Sequence, residues 1–309
     1  MRLGVLDIGS NTVHLLVVDA RPDARPTPAA DERSTVRLMR YLDDDGTITP
    51  EGVAALSAAV ARATAAAERL GAEEMLGIVT SALREAGNGP EVLTGLEGVA
   101  GVPLQVLTGR QEAELTFLAA RRWHGWAAGR LLVLDIGGGS LEIATGIDEL
   151  PDYAVSLPLG AGRLTREFLR SDPPTAEQVR ALKAHVEETL APVVAELAAL
   201  PAAHHVVGTS KTFRSLARLA GQRVAVVGPE ERRRMQLADL ADWTPRLAKI
   251  PAEQRMELPG ITPERTYQIV AGAMVAQRAM KRLGVDEIEI CPWALREGVI
   301  LRRLDALSA

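Results

Sequence analysis

Two segments of the sequence end an apolar run with one acid and follow it with a turn of small residues. The first segment contributes Asp7, Gly9, Ser10 and Asn11. The second contributes Asp135, Gly137, Gly138, Gly139 and Ser140. The five residues at 5–9 are identical to those at 133–137, so we interpret the segments as two copies of one structural unit.

These residue types suit the binding of a phosphate chain. Successive backbone amides in a glycine-rich turn point at one anion, and the missing side chains let phosphate approach closely. The side chains of Ser10, Asn11 and Ser140 add hydrogen-bond donors. Asp7 and Asp135 are placed to hold a divalent cation, directly or through water. Two such turns facing each other across a cleft would form a phosphoryl-transfer site.

The residues around the turns exclude two common nucleotide-binding motifs. Neither turn carries the Gly-Lys-Ser/Thr sequence of a Walker loop. Each turn leads into a second strand and not into a helix, in contrast to the Rossmann fingerprint. Each acidic segment is therefore predicted to form a β-hairpin.

The remaining sequence predicts helices and strands in alternation, as in an α/β fold. We expect a third strand near residues 36–41, a helix over 263–283 and a closing helix over 294–307. The apolar residues 269–280 are expected in a lobe core or a dimer seam. The basic run at 232–234 is expected to be a solvated surface segment.

The composition narrows the class of protein. The 309 residues allow two domains, and a hydrophobic fraction of 47% suits a soluble globular chain. A net charge of −5 argues against a nucleic-acid partner. The single cysteine, Cys291, allows no intramolecular disulfide and is expected to be a buried thiol. No apolar run is long enough for a signal peptide or a membrane span, so we expect a cytoplasmic protein with no membrane partner.

Beyond the two turns, the chain resembles the exopolyphosphatase/guanosine pentaphosphate phosphatase (Ppx/GppA) family, within the superfamily of actin, the sugar kinases and the heat-shock ATPases. It looks closest to the short actinobacterial members. The matching stretches occur in family order and are LDIGSNTVHLLV (6–17), TSALREA (80–86), LTGRQEAELTFLAA (107–120), VLDIGGGSLEI (133–143), LPLGAGRLT (157–165), GTSKTFRSLARL (208–219) and ICPWALREGVIL (290–301).

The resemblance implies an α/β fold with two ribonuclease-H-like lobes, as in actin-like ATPases, and an interlobe cleft. We place the N-terminal lobe at residues 1–125 and the C-terminal lobe at residues 126–309.

The resemblance also implies roles for individual residues. Glu112 matches the general base that orients the attacking water, and Arg84 matches a basic residue at the cleft. Asp135 matches the metal-binding acid, and we expect Asp7 to help it. The turns at 9–11 and 137–140 match the two phosphate loops. A third loop, which meets the nucleoside side of the ligand in the ATPases, is matched by Gly208, Ser210 and Lys211.

The implied activity is release of terminal orthophosphate from inorganic polyphosphate, with Mg²⁺ or Mn²⁺ as cofactor. Longer relatives carry additional helical domains, so this chain is expected to prefer short polymers. We also expect a homodimer. Three other functions stay open, namely hydrolysis of guanosine pentaphosphate, an ATP-using kinase, and a sensor that binds polyphosphate or guanosine penta- and tetraphosphate without hydrolysis.

Overall fold

The structure is a computed structural model that describes residues 1–21, 25–225 and 232–308. The chain divides into two compact units. The first consists of Met1–Leu115 and Leu295–Ala309, and the second of Thr116–Ala294. This grouping differs from the predicted division into 1–125 and 126–309, because the closing helix packs against the first strand of the chain.

Strands and helices alternate through most of the described chain. The strands are β1 (Arg2–Ile8), β2 (Thr12–Asp19), β3 (Thr27–Thr35), β4 (Glu74–Val79), β5 (Leu104–Val106), β6 (Leu131–Ile136), β7 (Leu141–Gly146), β8 (Tyr153–Leu157), β9 (His205–Gly208), β10 (Gly221–Val224), β11 (Arg232–Gln236) and β12 (Glu287–Ile290). The helices are α1 (Pro50–Arg69), α2 (Ser81–Arg84), α3 (Gly89–Ala100), α4 (Gly109–His124), α5 (Ala161–Phe168), α6 (Ala176–Leu197), α7 (Ser210–Ala220), α8 (Leu237–Leu247), α9 (Ala252–Arg255), α10 (Ile269–Arg282) and α11 (Leu295–Ser308). Of the helices within the described residues, none combines the length and the apolar character that crossing a bilayer requires.

The sheet of the first unit has the strand order β3-β2-β1-β4-β5. Strand β1 is antiparallel to β2 and parallel to β4, and both of its faces are covered. Leu6 and Ile8 enter a core with residues of α1 and α3, whereas Leu3 and Val5 enter a second core with residues of α11. Burial on both faces explains the continuous apolar run. Asp7 lies on the face of Leu3 and Val5, because side chains alternate along a strand.

The sheet of the second unit has the order β10-β11-β12-β9-β6-β7-β8. Helix α10 lies in its main core, where ten of its residues between Ile269 and Met280 are buried. Of the two sequence-based alternatives for residues 269–280, the lobe core is therefore the one found.

The two sheets repeat one arrangement around their acidic hairpins. The order β3-β2-β1-β4-β5 has its counterpart in β8-β7-β6-β9-β12, with the same strand directions. Asp7 pairs with His14 in the first hairpin, and Asp135 pairs with Glu142 in the second. The predicted α/β class and the duplication are thus present in the backbone.

The third strand lies earlier than predicted. It occupies Thr27–Thr35, whereas part of the predicted segment 36–41 forms a 3-10 turn at Leu38–Arg40. Because β3 is an edge strand whose register with β2 shifts near its start, it accepts Pro28. The segment is mostly polar, so no apolar pattern indicated a strand there.

One further sequence-based expectation is corrected, and another is confirmed within a strand. The predicted helix at 263–283 begins only at Ile269, because the preceding residues form tight turns such as that from Arg265 N to Thr262 O at 2.7 Å. The basic run at 232–234 belongs to β11. There Arg234 forms ion pairs with two glutamates of β12 at 3.1 and 3.4 Å, while Arg232 and Arg234 remain exposed, as expected of a solvated run.

Within the first unit, helix α11 lies so close to α4 that Gly298 contacts the backbone of Leu115. A Cβ atom at Gly298 would lie 2.0 Å from the carbonyl oxygen of Leu115. No side chain fits in this space, so glycine sets the separation of the two helices.

Replacing Gly298 by alanine should therefore force the helices apart. We expect Gly298→Ala to lower the free energy of unfolding by about 1–3 kcal/mol through overpacking. The matched control is Gly95→Ala in α3, where no heavy atom lies within 4 Å of the added Cβ. That change should raise stability by up to about 1 kcal/mol, because alanine favours helices. Urea denaturation measures both, and a Gly298→Ala variant as stable as the parent would contradict the close packing.

Candidate active site

Glu112 lies in the first turn of α4, and the residues before it explain why the helix starts there. The Thr108 amide donates to Gln111 Oε1 at 2.9 Å, and the Gln111 amide donates to Thr108 Oγ1 at 3.2 Å. These reciprocal bonds form a capping box. Glu112 itself is only 5% exposed. The positive end of the helix dipole favours a carboxylate at this position.

Arg84 holds the Glu112 carboxylate. Its Nη1 atom lies 2.5 Å from Glu112 Oε1 and 2.5 Å from the carbonyl oxygen of Leu107. A weaker contact joins Nη2 to Glu85 at 3.5 Å. Because the guanidinium is planar and rigid, these bonds fix the direction of the Glu112 carboxylate. The structure thus brings together the two residues predicted as catalytic.

The start of α11 positions two further features of the first unit. Arg296 Nη1 donates to Asp7 Oδ2 at 3.0 Å, and the Asp7 side chain is 15% exposed. Burial raises the pKa of the Asp7 carboxyl, and the positive charge of Arg296 opposes that rise. Gly298, two residues later, contacts α4 one turn after Glu112. Sequence reasoning gave Arg296 and Gly298 no role, although both lie in the last stretch that matches the family.

The first predicted phosphate loop consists of Gly9, Ser10 and Asn11. The carbonyl oxygens of Ser10 and Asn11 accept three backbone amides of residues 36–38, at 2.8 to 3.0 Å. These bonds turn both carbonyls toward the segment after β3. The side-chain Nδ2 of Asn11 is buried and has no hydrogen-bond partner among the described residues. The loop therefore presents a donor that an anion would satisfy.

The second predicted phosphate loop consists of Gly137, Gly138, Gly139 and Ser140. Its first three carbonyls accept from the start of α5, through Ala161 N at 3.0 Å and through Arg163 N and Nε at 2.9 Å each. Because the N–H of a peptide points opposite to its C=O, the next three amides point away from α5. Within the described residues these amides donate to no backbone acceptor. The geometry is that of an anion-binding turn.

Gly160 allows α5 to approach this loop so closely. A Cβ atom at Gly160 would lie 2.2 Å from the carbonyl carbon of Gly139. The sequence indicated Gly160 only as part of the stretch 157–165 that matches the family. Its packing role depends on a contact between segments about twenty residues apart.

Asp135 is buried beside a hydroxyl and a second acid. The hydroxyl of Thr209, which is fully buried, donates to Asp135 Oδ2 at 2.7 Å. Glu142 lies directly opposite Asp135 on β7 and accepts from Ser156 Oγ at 2.8 Å. Directly opposite residues of an antiparallel pair share one face of the sheet. Glu142 was missed by sequence reasoning, although the predicted hairpin register would have placed it opposite Asp135.

The third predicted loop follows β9 and contains Gly208, Ser210 and Lys211. Ser210 adopts a φ angle of 68°, in the left-handed region. Lys211 Nζ lies 3.4 Å from Glu264 Oε2. Burial opposes ionisation of Glu264, but hydrogen bonding to its carboxylate and the charge of Lys211 lower its pKa to about 2. An anion would therefore compete with Glu264 for Lys211.

Comparison with known proteins places the chain in a family. The Ppx/GppA phosphatase family matches residues 16–307. Exopolyphosphatase 1 of Mycobacterium leprae is 47% identical over 306 residues, which cover 99% of this chain and 90% of that protein. Exopolyphosphatase 2 of Mycobacterium tuberculosis is 31% identical over 97% of this chain and 98% of its own length.

The chain belongs to the Ppx/GppA phosphatase family.

Solved structures agree with this assignment at the level of the fold. An exopolyphosphatase from Cytophaga hutchinsonii superposes with a TM-score of 0.88 at 24% identity, over 99% of this chain and 98% of that one. The Ppx/GppA family member from Aquifex aeolicus gives 0.79 at 23% identity, over 100% and 99%. The predicted fold with two actin-like lobes is confirmed for this Ppx/GppA phosphatase, whereas the interlobe cleft stays a prediction.

Other residue types that often serve in catalysis or metal binding are occupied structurally in this part of the chain. Cys291 is a buried thiol, as predicted. His204 Nδ1 accepts from the Arg130 amide at 2.9 Å, and His205 Nδ1 lies 2.9 Å from Glu289 Oε1. These contacts account for both histidines without a metal.

The bond between Thr209 and Asp135 yields a stability prediction. Thr209→Val keeps the shape of the side chain and leaves Asp135 without its hydroxyl donor. We expect the free energy of unfolding to fall by about 1.5–3 kcal/mol, because the lost bond serves a buried carboxylate. Thr209→Ser retains the hydroxyl and should lose less. Urea denaturation compares the two variants. A valine variant at least as stable as the serine variant would show that the hydrogen bond contributes nothing.

Proposed function

We propose that the chain is an exopolyphosphatase, which releases terminal orthophosphate from inorganic polyphosphate by attack of water. The observation that carries the proposal is the 47% identity, over nearly the whole of both chains, to a protein named exopolyphosphatase 1. The buried Glu112 carboxylate and the two anion-binding turns supply groups that such a reaction needs.

Phosphoryl transfer to water depends on positioning and on charge neutralisation. In this proposal the Glu112 carboxylate accepts a hydrogen bond from the attacking water and takes up its proton. Arg84 keeps the carboxylate in one orientation through the 2.5 Å contact and adds positive charge near the reacting phosphate. The amides of the two loops, with the Asn11 side chain, bind phosphate oxygens.

We further propose that Mg²⁺ or Mn²⁺ binds at Asp135 and Glu142. The Cβ atoms of such opposite residues lie about 4.5–5.5 Å apart, where two carboxylates repel each other unless a cation is present. In the described ranges, no three His, Cys, Asp or Glu side chains form a metal cluster. This fits an ion that takes one or two carboxylates and completes its shell with water and substrate phosphates. Once bound, the ion would neutralise part of the phosphate charge.

Asp7 is the weaker of the two predicted metal residues. Its Oδ2 atom already accepts from Arg296 at 3.0 Å, and burial raises its pKa. We therefore assign it mainly to the alignment of α11 with β1, and we assign the cation to Asp135.

The finer features of the expected function remain part of the proposal. They are a preference for short polyphosphate, a cytoplasmic location and a homodimer. Hydrolysis of guanosine pentaphosphate is the alternative reaction, and binding of guanosine tetraphosphate without turnover is the alternative for a sensor. Orthophosphate release measured with each substrate alone, and with both in competition, separates these functions.

The central test uses Glu112→Gln with polyphosphate and Mg²⁺. We expect kcat for orthophosphate release to fall by about 10²–10⁴-fold, because the amide accepts no proton. The matched control is Glu114→Gln on the same helix, whose carboxylate is paired with Arg110 at 2.8 Å. That variant should retain full activity. Unchanged release by Glu112→Gln would refute the assignment of Glu112. No release by the folded parent would refute the proposed function.

The metal proposal predicts a separate effect. Asp135→Asn and Glu142→Gln should each raise the Mg²⁺ concentration for half-maximal activity by about tenfold or more, because each removes a charged oxygen ligand. Activity is measured across a Mg²⁺ titration after treatment with a chelator. If both variants keep the Mg²⁺ dependence of the parent, the cation binds elsewhere.

A further inference from the structure

Only two residues other than glycine adopt a positive φ angle in the part of the chain that the structure describes. They are Ser210, with φ 68°, and Arg37, with φ 58° and ψ 53°. Ser210 lies in a loop that is already a candidate for ligand binding. Left-handed backbone costs a residue with a Cβ atom free energy, and such strain collects at functional sites. Arg37 therefore calls for an explanation, which sequence reasoning did not provide.

Arg37 lies against the first phosphate loop. Its backbone amide donates to Asn11 O at 2.9 Å, and the amides on either side of it donate to Asn11 O at 3.0 Å and to Ser10 O at 2.8 Å. Three consecutive amides face one turn in this way when the middle residue has left-handed backbone. The conformation of Arg37 is thus required to hold the loop.

The backbone requirement does not explain the arginine side chain. Glycine adopts a positive φ without steric cost and would hold the same loop. The chain places a larger, charged residue there despite the strain. The cost of this backbone conformation favours a further role for the arginine side chain.

The chemistry of the neighbouring loop indicates what that contribution is. The loop contains the buried Asn11 Nδ2, a donor with no acceptor among the described residues. The Arg37 amide is 2.9 Å from Asn11 O, so its half-buried side chain starts within reach of an anion on this loop. A guanidinium presents a fork of donors that matches two oxygens of a phosphate.

We propose that Arg37 is a phosphate-binding residue, whose guanidinium contacts the same phosphate group as the Asn11 side chain. The identity of the substrate rests on the proposed function, but the phosphate chemistry rests on the geometry of the loop. In this arrangement Arg37 acts twice. Its backbone shapes the turn, and its side chain binds the anion that the turn holds.

Arg37→Gly separates the two roles, because it keeps the backbone conformation and removes the guanidinium. We expect the melting temperature to be unchanged or higher by about 2–4 °C, since the strain is relieved. The Kd for inorganic tripolyphosphate, measured by calorimetry, should rise by about tenfold or more with the loss of a charge-assisted bond. Arg37→Lys keeps the charge without the fork and should lie between parent and glycine variant. The control is Arg40→Gln, at the exposed end of the same turn, which should bind like the parent.

Two results would overturn the inference. One is an Arg37→Gly variant whose Kd stays within twofold of the parent value, which would leave Arg37 a structural residue. The other is an equal loss of binding in Arg40→Gln, which would reduce the effect to general surface charge. If the parent binds tripolyphosphate but releases no orthophosphate, the hydrolytic function fails while the comparison of Kd values still tests Arg37.

Discussion

In both predicted phosphate loops, backbone carbonyl oxygens accept hydrogen bonds from a neighbouring segment, and these bonds fix the orientation of the peptide groups. In the second loop, α5 binds the carbonyls of three successive glycines, and in the first loop residues 36–38 bind those of Ser10 and Asn11. Each bond orients a peptide plane, so the amides of residues 138–140 point away from α5. The protein therefore creates positive potential without a lysine at the turn, through peptide dipoles held rigidly in place. Glycine at 160 is needed for the same reason, because any side chain there would separate α5 from the loop.

Around these turns, each buried acid of the candidate site has a specific partner. Arg84 holds Glu112, Arg296 holds Asp7, and the hydroxyl of Thr209 binds Asp135. A buried carboxylate is costly unless hydrogen bonds or opposite charge compensate for lost water. The partners therefore stabilise the fold and also fix the direction of each carboxylate, as the roles proposed above for Glu112 and Asp135 require. Within the first unit, helix α11 carries both Arg296, which binds Asp7, and Gly298, which contacts α4.

Local patterns in the sequence predicted the parts of the site that a single segment determines. The repeated acidic hairpins and the buried Cys291 could both be predicted, because apolar runs and turn residues act over short distances. Glu142, Gly160 and Gly298 were missed, since their roles arise from contacts with distant segments. Strand β3 was misplaced because it is a polar edge strand. Arg37 could not be found from sequence, because nothing in its neighbours signals a left-handed backbone.

The central claim is that the amides of the two turns bind the phosphate substrate directly. Amide chemical shifts test it most directly, in protein labelled with ¹⁵N-glycine, ¹⁵N-serine and ¹⁵N-asparagine and titrated with inorganic tripolyphosphate. The account predicts that the largest shifts occur at the amides of Asn11, Gly138, Gly139 and Ser140, and that they saturate as the ligand concentration rises. Saturable binding that shifts other amides and leaves these four unmoved would contradict it.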